Sequence, residues 1–166
     1  MANIIGILRY ALAREEEGRA FYLGQLDKVK DKHVKEAFTH LAEMEGEHVD
    51  YISSLIEKNQ KGERISSSDI LPEEEDIFTS RKQTELPAGR HAELASDCSI
   101  LRMAFLIEHD FMEFYRQAAE RTEDEGEKMI FNHLSHWEKG HRDLVQSLYD
   151  ERMKAYWHAM GFEPMV

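Results

Sequence analysis

One offset of 93 residues maps Glu15, Glu45 and His48 onto Glu108, Glu138 and His141. The same offset carries Phe21 onto Phe114, Tyr22 onto Tyr115, Phe38 onto Phe131, His40 onto His133, Leu41 onto Leu134 and Asp50 onto Asp143. A register kept without gaps over so many positions describes a duplicated unit, and the spacing within it is that of a helical hairpin. The duplication therefore limits the fold to arrangements that pack two like hairpins together.

Four long segments carry apolar residues at helical spacing with almost no internal proline, which predicts four helices. The first spans about Asn3 to Lys28, with Ile4, Leu8, Leu12, Glu15 and Tyr22 near one face. The second starts near Asp31, a candidate N-cap, and aligns Val34, Phe38, Leu41, Glu45, His48, Ile52 and Leu55. A third begins near Ser96 or Asp97, runs to about Arg121, and places Leu101, Phe105, Glu108 and Tyr115 inward. Asp124 opens the fourth, with Glu127 three residues on as a capping-box partner. Turns as short as residues 29–31 and 122–124 make each pair antiparallel. Residues 60–95 hold Gly62, Ser66-Ser67-Ser68, Pro72, Pro87 and Gly89, and lack periodicity apart from a short helix that Pro72 could open. Such a length suits a crossover joining two like-oriented helices along the whole bundle. The expected fold is all-α: a four-helix bundle of two antiparallel hairpins over residues 1–153, with 154–166 as a C-terminal extension.

At 166 residues the chain can bury a full core without cross-links. Its single cysteine, Cys98, excludes an internal disulfide or a Cys-x-x-Cys metal site and is compatible with a reducing cytoplasm. A formal charge of −12 disfavours nucleic acid and anionic lipid as partners. No stretch nears the roughly 20 consecutive apolar residues of a membrane span. The N-terminal Ile4, Ile5, Ile7, Leu8 run, broken by Arg9, does not read as a signal peptide.

In a helix, residues three apart share a face, so Glu45 with His48 and Glu138 with His141 each offer a carboxylate and an imidazole to one point. Glu15 and Glu108 add a carboxylate from each hairpin's other helix. Four Glu and two His form the ligand set of ferritin-like di-iron carboxylate proteins. Four carboxylates would also balance the charge of two divalent cations, whereas without them their mutual repulsion would force protons or water into the core. Glu16 and Glu17 flank Glu15, but only Glu15 keeps register with Glu108.

The chain resembles the rubrerythrin-like branch of the ferritin-like superfamily over about residues 3–150. The likeness is carried by Glu15-Glu16-Glu17-Gly18-Arg19-Ala20-Phe21-Tyr22, Leu41-Ala42-Glu43-Met44-Glu45-Gly46-Glu47-His48, Glu108 through Tyr115, and Glu138-Lys139-Gly140-His141. The resemblance implies that Glu45 and Glu138 bridge two metals, Glu15 and Glu108 are terminal carboxylates, and His48 and His141 terminal nitrogen ligands. It further implies a non-haem di-iron oxidoreductase acting on O₂ or hydrogen peroxide. Phe111 stands where peroxide-reducing relatives carry a further glutamate, and the resemblance does not extend to a four-cysteine rubredoxin domain. The reductant is therefore expected to be an external electron donor.

Carboxylate-rich ligation without thiolate suits two iron ions, with manganese or zinc as possible occupants. The alternatives are an iron-handling ferroxidase of the bacterioferritin type, for which the tail after Met153 is short, and a structural di-metal module. Tyr22 and Tyr115, two turns beyond their glutamates, either hydrogen-bond the ligands and relay electrons or are core tyrosines. His40 and His133 are expected to pack or to support the ligands, while His109 and His136 should face elsewhere. Met103, Phe105, Phe111 and Met112 are expected in the core. Arg19 and Asp143 could support the ligands or lie on the surface. Tyr156-Trp157-His158-Ala159-Met160 is expected to dock on the bundle or to make a subunit contact in a homodimer.

Overall fold

The computed structural model describes residues 4–72 and 90–162. Four helices account for most of them: α1 (Ile4–Gln25), α2 (Lys32–Gln60), α3 (His91–Arg121) and α4 (Glu125–Ala159), with one 3₁₀ turn at Ser67–Asp69. No strand occurs among the described residues. Helices α1 and α2 pack as one antiparallel pair, α3 and α4 as the other, and α1 also meets α3. The expected all-α bundle of two hairpins is the fold observed. None of these helices is long and apolar enough to cross a membrane.

The helix boundaries follow from their caps. Asp31 accepts hydrogen bonds from the His33 and Val34 amides, and Asp124 does the same for Gly126 and Glu127. Glu127 does not complete the expected capping box, because its carboxylate accepts from the Thr122 hydroxyl at 2.7 Å. Helix α3 begins at His91, five residues before the expected start. Asp97 therefore lies inside the helix, and its two oxygens accept from the Lys30 and Asp31 amides, each at 2.9 Å, in the turn between α1 and α2. That turn begins after Gln25, so α1 is shorter than its periodicity suggested. The helix that Pro72 could open lies outside the described residues.

Along the bundle axis the interior is layered. One apolar cluster contains Leu8, Ile52, Leu55, Tyr115, Phe131 and Leu134. The other contains Tyr22, Phe38, Leu41, Leu101, Val145 and Leu148. The 93-residue offset exchanges the six residues named in one cluster with the six named in the other, so the duplication built a pseudo-symmetric core with a separate layer at its middle. Fully buried Glu15, Glu45, Glu108 and Glu138, with His48 and His141 at 1% exposure, occupy that layer.

Both ends are pinned by ion pairs on the N-cap aspartates. At one end Arg152, itself buried, reaches Asp31. At the other, Arg64 bonds Asp124 at 2.6 Å, and Lys58 holds Asp69 at 2.6 Å. Beside that second end the chain crosses the start of α4 so closely that a Cβ on Gly126 would lie 2.7 Å from the Ile65 carbonyl oxygen and 3.0 Å from Ser66 Cα. Helix α4 continues unbroken to Ala159, whose carbonyl meets the His91 ring at 2.6 Å. Trp157 in its last turn and Met160 and Phe162 after it are exposed, whereas Tyr156 is half-buried. Met103 also departs from expectation, being 47% exposed on the outer face of α3, whereas Phe111 is buried.

Gly126→Ala should lower unfolding free energy in urea by about 1–3 kcal/mol, because two backbone segments must separate. Gly140→Ala, where a Cβ meets nothing, should instead raise it by about 0.5–1 kcal/mol. Asp31→Asn keeps a capping oxygen but strands the Arg152 charge, and should cost about 3 kcal/mol in the same measurement.

Candidate metal centre

The middle layer draws one side-chain set from every helix. Glu15 comes from α1, Glu45 and His48 from α2, Glu108 from α3, and Glu138 and His141 from α4. Each pair on α2 and α4 is three residues apart, so one turn of helix presents both groups to the interior.

Two groups of four result. Glu15, Glu45, His48 and Glu138 bring ligand atoms within 4.8 Å of one another, as do Glu45, Glu108, Glu138 and His141. Glu45 and Glu138 belong to both. His48 Nδ1 lies 3.2 Å from Glu15 Oε2 and 3.1 Å from Glu138 Oε1. His141 Nδ1 lies 3.6 Å from Glu138 Oε2 and 3.7 Å from oxygens of Glu45 and Glu108. The two imidazoles stack at 5.3 Å with planes 9° apart.

The layer's electrostatics are those of a candidate cation site. Both oxygens of Glu45 and of Glu138, and Oε2 of Glu108, are buried without a hydrogen-bond partner. Such atoms are rare and costly in a finished interior, and cations are the groups that would satisfy several carboxylates at once. Burial, reinforced by the charge on Glu45, pushes the Glu15 carboxyl up to about 7. Burial, again with Glu45, drives Glu108 well above the carboxylate range. Burial and Glu138 push Glu45 upward too, but the neighbouring His141, His48 and Glu15 side chains outweigh them and hold it below its ordinary value. Burial disfavours charge on His48, yet Glu15 and Glu138 overcome this and raise it well above an ordinary imidazole. An all-oxygen and imidazole donor set of this kind fits divalent metal ions.

The tyrosines settle between their two expected roles. Tyr22 donates to Glu108 and Tyr115 donates to Glu15, each crossing from one hairpin to the other. Burial and the neighbouring carboxylates push both phenols well above their ordinary value, so they remain donors. They are thus core tyrosines whose hydroxyls orient the outer glutamates.

Other candidates separate cleanly. Glu16 and Glu17 are exposed, so register identified the inward glutamate. His40 is exposed beside Glu43, contrary to a packing role. His133 is half-buried with its ring 4.4 Å from Trp137. His109 stacks on Phe105, and His136 is exposed. Arg19 is exposed, and Asp143 pairs with Arg142 and Lys139 at the surface. Phe111 lies against Gly18, where a Cβ would be 3.0 Å from the phenylalanine ring and 3.5 Å from the Glu45 carboxyl carbon.

Sequence reasoning missed Trp137, which stacks on His48 at 4.9 Å with planes 7° apart. Its signal was a break in the repeat, since the matching position is Met44.

Among solved structures, the chain is similar to a hypothetical protein from Pyrococcus furiosus, at 22% identity, with 92% of each chain covered and a TM-score of 0.67. That likeness is one of fold. No curated protein matches the chain. Residues 6–149 match the family model described as rubrerythrin. With that match spanning most of its length, the chain belongs to the rubrerythrin family.

Proposed function

We propose that the protein is a non-haem di-iron oxidoreductase that reacts with O₂ or hydrogen peroxide. Glu15 and His48 would hold one iron, Glu108 and His141 the other, and Glu45 and Glu138 would bridge them. The observation that carries this reading is the sharing of Glu45 and Glu138 between two buried ligand groups. Bound there, iron would supply one-electron redox chemistry toward a dioxygen or peroxide oxidant.

The chain's own residues do the remaining work. Tyr22 and Tyr115 restrain the outer carboxylates through the bonds they donate. The apolar clusters on either side keep bulk water from the middle layer and strengthen every interaction within it. Phe111 keeps the corner beside Glu45 apolar, so no fifth carboxylate is available there. Electrons would come from an external donor.

Glu138→Ala should bind fewer metal ions than wild type in anaerobic metal analysis, whereas Glu16→Ala should bind the full complement. Two ions retained per chain in Glu138→Ala would sink the bridging assignment. Loaded wild type should be oxidised by O₂ or H₂O₂ in stopped-flow absorbance; inertness to both would leave only a structural metal site.

Acidity gives an independent check on the metal-free protein. Glu15 binds its proton more tightly folded than unfolded, so its contribution to stability is fully present below its ordinary value of 4.5 and is lost as pH rises through about 7. Wild type should therefore gain stability relative to Glu15→Gln as pH is lowered across that window in denaturant titrations. Metal affinity of wild type should change the opposite way, rising with pH as the competing proton leaves.

A further inference from the structure

One of the places where the paired halves differ in chemistry is Trp137. Its indole lies flat against the His48 imidazole, 4.9 Å between centroids and 7° between planes. On its other contacts it meets His133 at 4.4 Å and Tyr51 at 6.0 Å. Trp137 is 5% exposed, while His133 is half-buried and so reaches toward the surface. An aromatic path thus leads outward from one imidazole of the centre. In the other half the matching residue is Met44, which offers no such ring.

We propose that Trp137 is a one-electron relay between the metal pair, at His48, and an external reductant approaching by His133. This rests on the di-iron reading above. The relay works when peroxide meets a centre holding one ferrous ion, which can supply only one of the two electrons required. Hydrogen peroxide, two protons from solvent, one Fe²⁺ and the Trp137 indole then give two waters, one Fe³⁺ and the indole radical cation. The O–O bond breaks; iron and indole are each oxidised by one electron. The indole keeps its proton, because Nε1 has no hydrogen-bond partner. A one-electron donor restores it.

Other aromatic residues are poorer carriers. Tyr51 must lose a proton to be oxidised, and its buried hydroxyl has no acceptor. Burial, with Asp69 nearby, pushes that phenol up to about 12. Tyr22 and Tyr115 have carboxylate acceptors, but among the described residues their rings lead on through phenylalanines, Phe21 and Phe38 for the first and Phe114 and Phe131 for the second, with exposed Tyr10 5.0 Å beyond Phe114. A hole placed on either would have to pass a phenyl ring, which is far harder to oxidise than an indole.

The test uses the full chain loaded anaerobically with one Fe²⁺, mixed with H₂O₂ and freeze-quenched for electron paramagnetic resonance, with iron oxidation followed in parallel. Wild type and Trp157→Phe should both show a tryptophan radical, and Trp137→Phe should lose it while still oxidising its iron. Trp137→Tyr, which keeps a ring in place, should also lose the tryptophan signal, and its circular dichroism controls for folding. A tryptophan radical that survives in Trp137→Phe, vanishes only in Trp157→Phe, or is absent from wild type whose iron oxidises overturns the relay. Iron that fails to oxidise in wild type overturns the di-iron reading instead.

Discussion

The structure is organised around the burial of four carboxylates in one layer. Each would be unfavourable there alone, and together they repel. Their presence constrains everything around them: helices must deliver them from four directions, two apolar cores must close above and below, and hydrogen bonds must fix the outer pair. Metal-free, the layer is the least comfortable part of the molecule. Its raised carboxyl groups and unpartnered oxygens express that tension directly.

The duplication explains how such a layer is assembled economically. One hairpin supplies a carboxylate, a Glu-x-x-His pair and a tyrosine, and a second copy facing it completes the set. The reciprocal bonds from Tyr22 to Glu108 and from Tyr115 to Glu15 tie the copies together across the α1 and α3 contact. Each hairpin therefore orients a carboxylate that it does not own. Neither can organise its site alone.

Much of this was legible in the sequence because register and helical period both act locally. The 93-residue offset picked Glu15 over Glu16 and Glu17 and placed all six ligand candidates in one layer. Contacts between distant elements were less legible. The third helix read as starting near Ser96 or Asp97, yet Asp97 lies inside it and its carboxylate caps the α1–α2 turn, a pairing that depends on how the hairpins dock. His40 and His133 share a register position but not an environment, since one is exposed and the other lies on Trp137. Met103 looked like core and lies outside because the inward stripe of α3 is filled by Leu101, Ala104, Glu108, Phe111 and Tyr115.

The contact between Gly18 and Phe111 bears on the ancestry of the fold. These residues occupy equivalent positions in the two halves, and the ring of one fills the space left by the other. A chain made from two copies of the first hairpin would leave a hole at this point, and one made from two copies of the second would set two rings against each other. The halves have become lock and key to one another. What began as repetition is now an obligate partnership between unlike pieces, and neither half could replace the other without remodelling the centre they share.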